Sequence, residues 1–179
     1  MLRQLNTDIL NASIADCSFV AACYALANTR TRTITVARGG VPYPLLRRAD
    51  GAITLIRPAG GIVGVLPEAE FGCETYTLNP GDTVLFYSDG LDALLAPQVT
   101  ERAMARARRA AAVPQLAGSG GGAAAPPGDE EITQTSWFET LRRDGLTAAL
   151  DELAARHETL RRLGHPLDDL TVLAVHCAG

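Results

Sequence analysis

After Gly90 the spacing of apolar residues along this chain changes period, and that change limits the folds open to it. Before Gly90, short runs with two-residue alternation, such as Thr33-Ile-Thr-Val-Ala37 and Cys73 to Leu78, are separated by turn formers, among them Asp50-Gly51 and Asn79-Pro-Gly-Asp82. Alternation with period two marks strands, and clusters of Gly, Pro, Asn and Asp mark the turns between them. After Gly90 the spacing becomes helical. Leu91, Leu94 and Leu95 suggest a short helix, Ser136 to Arg143 another that stops near Gly145. Leu146, Leu150, Leu153, His157 and Leu160 mark the inner face of a longer helix ending at Gly164-His-Pro166. Leu170 to Val175 reads as a closing strand. Strands, then helices, then a last strand predict an α+β fold with largely antiparallel sheets and helices packed against a face.

The remaining segments fill in this outline. Leu2, Leu5, Ile9 and Ile14 have roughly helical spacing over residues 1–15. Phe19 to Ala27 is short and almost wholly apolar, which predicts a strand buried on both faces, forming a hairpin with the strand that starts at Thr33. A second hairpin is expected around Asp50-Gly51, and a Gly/Pro-rich loop over 58–68. Residues 98–113 are rich in Ala and Arg, with Arg102, Arg106 and Arg109 on one stripe that reads as a solvated helix face. Residues 114–130 are rich in Gly, Ala and Pro, a composition that cannot bury a core and reads as a flexible insertion. The stretch from 131 to the last residue is too short to fold alone, so residues 1–179 are expected to form one domain.

The bulk properties exclude several classes. A net charge of −4 argues against a non-specific nucleic-acid binder. No run approaches the roughly 18–20 apolar residues that span a bilayer, and Met1-Leu-Arg-Gln-Leu-Asn6 lacks a signal-peptide pattern. A cytoplasmic location is expected. The four cysteines are scattered without a CxxC pair, which predicts reduced, mostly buried thiols. No HxH or HExxH spacing, GxSxG elbow or Walker loop is present, so neither a zinc site nor those nucleophile and phosphate signatures apply.

Chemistry is better sought in the carboxylates. The apolar run starting at Val84 ends abruptly in Asp89-Gly90, and Asp168-Asp169 stands just before Leu170 to Val175. Carboxylates at the ends of buried strands are costly unless something cationic meets them, so two such ends suggest a shared cation. A hard divalent ion such as Mg²⁺ or Mn²⁺ takes oxygen ligands and keeps several waters. Gly90 allows a sharp turn and close approach of the backbone. Asp-Gly is equally a common turn dipeptide, and Asp168-Asp169 equally a solvated turn. Both readings stand on the residues alone.

Five segments, in order, resemble the PPM (PP2C-like) metal-dependent protein phosphatases of the bacterial SpoIIE/RsbU branch. Phe19-Val-Ala-Ala-Cys-Tyr-Ala-Leu26 resembles the strand after the family's long helix, and Ala37-Arg-Gly-Gly-Val-Pro-Tyr-Pro-Leu-Leu-Arg47 its AGHxPPLLLR segment. Gly60-Gly-Ile-Val-Gly-Val-Leu66 is similar to its GxPLGxL loop. Leu78 to Leu91 is similar to LxPGDxLxLYTDG, and Asp168-Asp-Leu-Thr-Val-Leu173 to DDxTxLxL. The resemblance implies a PP2C-like β-sandwich flanked by helices. It implies hydrolysis of phosphoserine or phosphothreonine on a regulatory protein, such as an anti-sigma-factor antagonist, by a water activated between two Mn²⁺ or Mg²⁺ ions. Asp89 and Asp168 would be ligands of one shared metal, with Gly90 and Asp169 in support.

Two departures from the family pattern stand out. The family histidine of AGH is Gly40 here, and the family's Asp-x-x-Gly-His-Gly signature has no counterpart in the sequence. The expectation is therefore an N-terminally truncated domain with at most one complete metal ligand set and low activity on its own. The alternative is a catalytically silent phosphatase remnant acting as a protein-binding module. A truncated sandwich exposes sheet edges, which predicts a homo-oligomer or a rearranged N-terminal segment.

Overall fold

The computed structural model describes residues 1–12, 19–95, 136–165 and 167–179, with the side chains of 92 and 93 excepted. The Arg stripe of 102–109 and the insertion at 114–130 lie outside these residues. Two compact units are present: residues 1–87 with 172–179, and residues 88–171.

The first unit holds helix α1 (Leu2–Ala12) and strands β1 (Ala22–Asn28), β2 (Thr33–Gly39), β3 (Leu45–Arg47), β4 (Ile53–Leu55), β5 (Glu74–Thr77), β6 (Thr83–Tyr87) and β7 (Val172–His176). They form two antiparallel sheets, ordered β1-β2-β5 and β4-β3-β6-β7. Ile34 and Val36 from the first sheet meet Leu46 and Val84 from the second, with Ile56 and Leu78 beside them. Burying each such side chain contributes about 1.5–3 kcal/mol. The antiparallel, two-layer architecture agrees with the pattern of alternation.

Turn chemistry sets both hairpins. Asn28 Oδ1 accepts the N–H groups of Arg30 and Thr31 at 3.0 and 3.1 Å, closing the β1–β2 turn. Asp50 Oδ1 accepts Ala52 N–H at 2.9 Å, and Gly51 adopts φ 90°. A third corner begins β6. There Asp82 is buried, and its carboxylate accepts Asn79 N–H at 2.8 Å, Ala49 N–H at 2.9 Å and Arg48 Nη1 at 2.8 Å. Burial pushes the Asp82 carboxyl up, but these backbone and guanidinium donors outweigh it and hold the group below the usual carboxylate range. Gly40 has φ 79°, a conformation that disfavours any side chain there.

Two sequence expectations fail in this unit. The apolar run from Phe19 is not a strand buried on both faces: β1 is the outer strand of its sheet and is exposed from Cys23 to Asn28. Phe19 and Leu26 are more than half exposed. Apolar composition reports what a strand could bury, whereas burial needs a second layer over it. The thiols among the described residues are free but not mostly buried: Cys23 and Cys73 are exposed, and Cys177 is partly covered.

The second unit contains α2 (Gly90–Leu95), α3 (Ser136–Arg143) and α4 (Leu146–Arg162). Trp137 and Phe138 of α3 meet edge to face at 4.9 Å, and Trp137 Nε1 donates to the Ala149 carbonyl at 2.8 Å. Gly145 separates α3 from α4 with φ 87°. The buried face of α4 runs through Ala149, Leu153 and Leu160. Leu150, expected inside, is exposed; Ala149 takes its place because a small side chain lets the Trp137 ring reach the α4 backbone. His157 sits half-buried at the border. Gly164 N–H bonds to the Arg161 carbonyl and His165 N–H to the Leu160 carbonyl, a Schellman stop at the expected glycine. Among the described residues no helix is long and apolar enough to cross a membrane.

Candidate metal site

The four candidate site residues all fall in the second unit, on two segments that run side by side. Just beyond the paired residues Tyr87 and Val172, the chain continues as Ser88-Asp89-Gly90 on one segment and Asp168 to Thr171 on the other. Three hydrogen bonds stitch them together. Ser88 N–H donates to the Thr171 carbonyl at 3.0 Å. The Ser88 hydroxyl donates to the Asp169 carbonyl and accepts Thr171 N–H, each at 2.9 Å. Sequence reasoning misses Ser88. The available signal is a hydroxyl residue between a strand and an Asp-Gly turn, a type that readily bonds nearby backbone groups.

Gly90 plays a different part from the one expected. It has no positive φ, so the turn does not require glycine. Instead, a Cβ on Gly90 would lie 2.5 Å from the Asp169 carbonyl oxygen and 3.3 Å from Leu170 Cα. The missing side chain admits the opposite segment. The turn closes through Leu91 N–H to the Ser88 carbonyl at 3.0 Å and leads directly into α2.

Asp89, Asp168 and Asp169 are all exposed. They are therefore not strand-end charges in need of rescue from burial, because water solvates them. Two properties remain, the pairing of the segments that carry them and the lack of a cationic partner: no ion pair among the described residues involves Asp89 or Asp168. Asp168 Oδ1 accepts Asp169 N–H at 2.9 Å, which fixes the side chain against its own turn. No group of three or more His, Cys, Asp or Glu side chains gathers for a metal among the described residues. Two hard carboxylate donors on hydrogen-bonded segments fit an ion that takes one or two carboxylates and keeps several waters, as Mg²⁺ does.

Comparison with known proteins places the chain in a family and identifies its fold. The family model of Stage II sporulation protein E (SpoIIE) matches residues 1–178. The phosphatase domain of the cell fate determinant SpoIIE from Bacillus subtilis, presoaked with Mn, superposes with a TM-score of 0.59 at 14% identity, covering 99% of this chain and 64% of that one. The RsbU and RsbW domains of Rv1364c from Mycobacterium tuberculosis give 0.58 at 22% identity, covering 93% of this chain and 38% of that one. RsbX in complex with magnesium gives 0.55 at 15% identity, covering 97% and 61%. The chain thus spans less than two thirds of the length of these structures. No curated protein matches it significantly. With residues 1–178 under one family model, the chain belongs to the SpoIIE family, and its fold is shared with the SpoIIE phosphatase domain and the RsbU and RsbW domains of Rv1364c.

Proposed function

We propose that this chain is part of a metal-dependent serine/threonine protein phosphatase, one partial phosphatase domain carrying the 114–130 insertion, and that Asp89 and Asp168 are ligands of one divalent cation, Mn²⁺ or Mg²⁺. The observation that carries the reading is the Ser88 stitch, which brings the Asp89 and Asp168 segments together within a SpoIIE-family fold. The ion, when bound, would supply a Lewis acid that lowers the pKa of water and neutralises phosphoryl oxygens. The protein's part is positional. Ser88 and Gly90 lock the two segments, Asp168 is held by its neighbour's amide, and Asp169 supports the turn through its carbonyl. The substrate would be a phosphoserine- or phosphothreonine-bearing regulatory protein in the cytoplasm, such as an anti-sigma-factor antagonist. Hydrolysis of a phosphoserine peptide with Mn²⁺ tests this. Turnover that needs Mn²⁺ and disappears in Asp89→Asn is the expected result; turnover that persists in Asp89→Asn contradicts it.

A second reading, a catalytically silent module that binds a partner, is favoured by the exposed apolar edge at Phe19, Tyr24 and Leu26. Mn²⁺ binding without turnover selects it. Either reading leaves β1 open to pairing, so self-association is expected in light scattering, and a stable monomer at high concentration contradicts that expectation.

A further inference from the structure

We propose that Arg38, Arg57 and Tyr43, all in the first unit, form a binding site for a phosphate group, either free phosphate or the phosphoryl group of a modified serine or threonine. The Arg38 guanidinium carbon lies 3.9 Å from the centroid of the Tyr43 ring, and that of Arg57 lies 5.6 Å from the same centroid. Both are within cation–π range. Five other arginines, Arg48, Arg142, Arg143, Arg161 and Arg162, have carboxylate partners. Arg38 and Arg57 form no ion pair among the described residues.

Among the described residues, neither Glu74 nor Cys23, the groups beside them, pairs with a guanidinium. Glu74 Oε2 accepts the Tyr76 hydroxyl at 2.6 Å and the Arg57 backbone N–H at 3.3 Å, rather than the Arg57 guanidinium. Cys23 lies opposite Arg38 in the β1–β2 register. Although Cys23 as a residue is exposed, local desolvation of its thiol pushes the pKa up against the lowering effect of the Arg38 charge. Arg38 Nη1 donates to the Val41 carbonyl, and its Nε is buried without a hydrogen-bond partner. A buried N–H of a cation without an acceptor is costly.

The backbone is shaped to gather these groups. Arg38 lies in β2, Tyr43 in the following loop and Arg57 just after β4. A Cβ on Gly60 would fall 2.2 Å from the Arg38 carbonyl, so glycine there lets the segment after Arg57 close onto β2. Two guanidinium charges on one ring match a phosphomonoester, which carries about −1.5 to −2 at neutral pH, better than a single carboxylate. The planar fork of arginine also fits phosphate oxygens bidentately.

The test is an NMR titration of the full chain in EDTA, following the Arg38 Nε–H and Tyr43 ring signals. The probes are inorganic phosphate, a phosphoserine peptide and the same peptide unphosphorylated. Saturable shifts with the first two and none with the third are expected. Tighter binding of the phosphopeptide identifies a protein-borne phosphate as the source, and equal binding identifies free phosphate. Arg57→Gln, at an exposed position, should weaken binding at least about tenfold, while Asp89→Asn should leave it unchanged. Absence of saturable shifts, equal shifts with chloride at matched ionic strength, an unaffected Arg57→Gln, or loss of binding in Asp89→Asn would each overturn the site.

Discussion

Strand β6 has an aspartate just outside each end, and the two live in opposite circumstances. Asp82 precedes the strand, is buried, and is surrounded by donors from Asn79, Ala49 and Arg48. Asp89 lies beyond its far end, is exposed, and has no cationic partner among the described residues. One carboxylate is committed to holding the first unit's corner together. The other belongs to a turn whose backbone is firmly stitched while its charge is left available. A carboxylate already saturated by protein donors has little left to offer a ligand. An exposed one on a fixed turn has nearly everything to offer, at little cost to folding.

That contrast can be broken by substitution. Asp82→Ala should destabilise the fold by about 3 kcal/mol, the lower end of the ~3–5 expected for a broken buried pair, because Arg48 remains 34% exposed and screened by water. Asp89→Asn, measured without metal, should stay within about 0.5 kcal/mol. Chemical denaturation of the two variants checks both, and equal losses would erase the distinction. The same corner has a pH signature. The Asp82 carboxyl is lowered in the folded state, so its contribution is complete above the unfolded value of about 3.9 and is lost as pH falls through the lower folded value. The stability gap between wild type and Asp82→Asn should therefore shrink on acidification from neutral pH, and a gap that widens contradicts the assignment. Gly90→Ala should cost about 1–3 kcal/mol, since its Cβ would meet the Asp169 carbonyl at 2.5 Å. Gly61→Ala, with nothing within 4 Å of the added carbon, is the control and should have the smallest effect.

The comparison also explains what can be read from the residues alone. Asn28, Asp50-Gly51, Gly145 and Gly164 carry their turn mechanisms locally, and the structure uses each of them as a turn or stop. Asn79-Pro-Gly-Asp82 is legible as a turn but not as a buried ion pair, because Arg48 is 34 positions away and only folding makes it a neighbour. Asn6 is hidden for the same reason. It is buried on α1, accepting Gly64 N–H at 2.6 Å and donating to the Leu66 carbonyl at 2.9 Å. The exposure of β1 is illegible because a strand's composition does not say what covers it. At the candidate site the adjacency of the two acidic segments follows from motif order, whereas the exposure of their carboxylates and the steric reason for Gly90 depend on the paired backbone.

The central claim is that Asp89 and Asp168 hold the same ion, and the most direct measurement is a calorimetric double-mutant cycle with Mn²⁺ on wild type, Asp89→Asn, Asp168→Asn and the double variant. The account predicts that each single substitution weakens Mn²⁺ binding at least about tenfold, and that the double variant binds no more weakly than the poorer single, as expected of coupled ligands. Undiminished binding in either single variant, or losses that add independently, would contradict it.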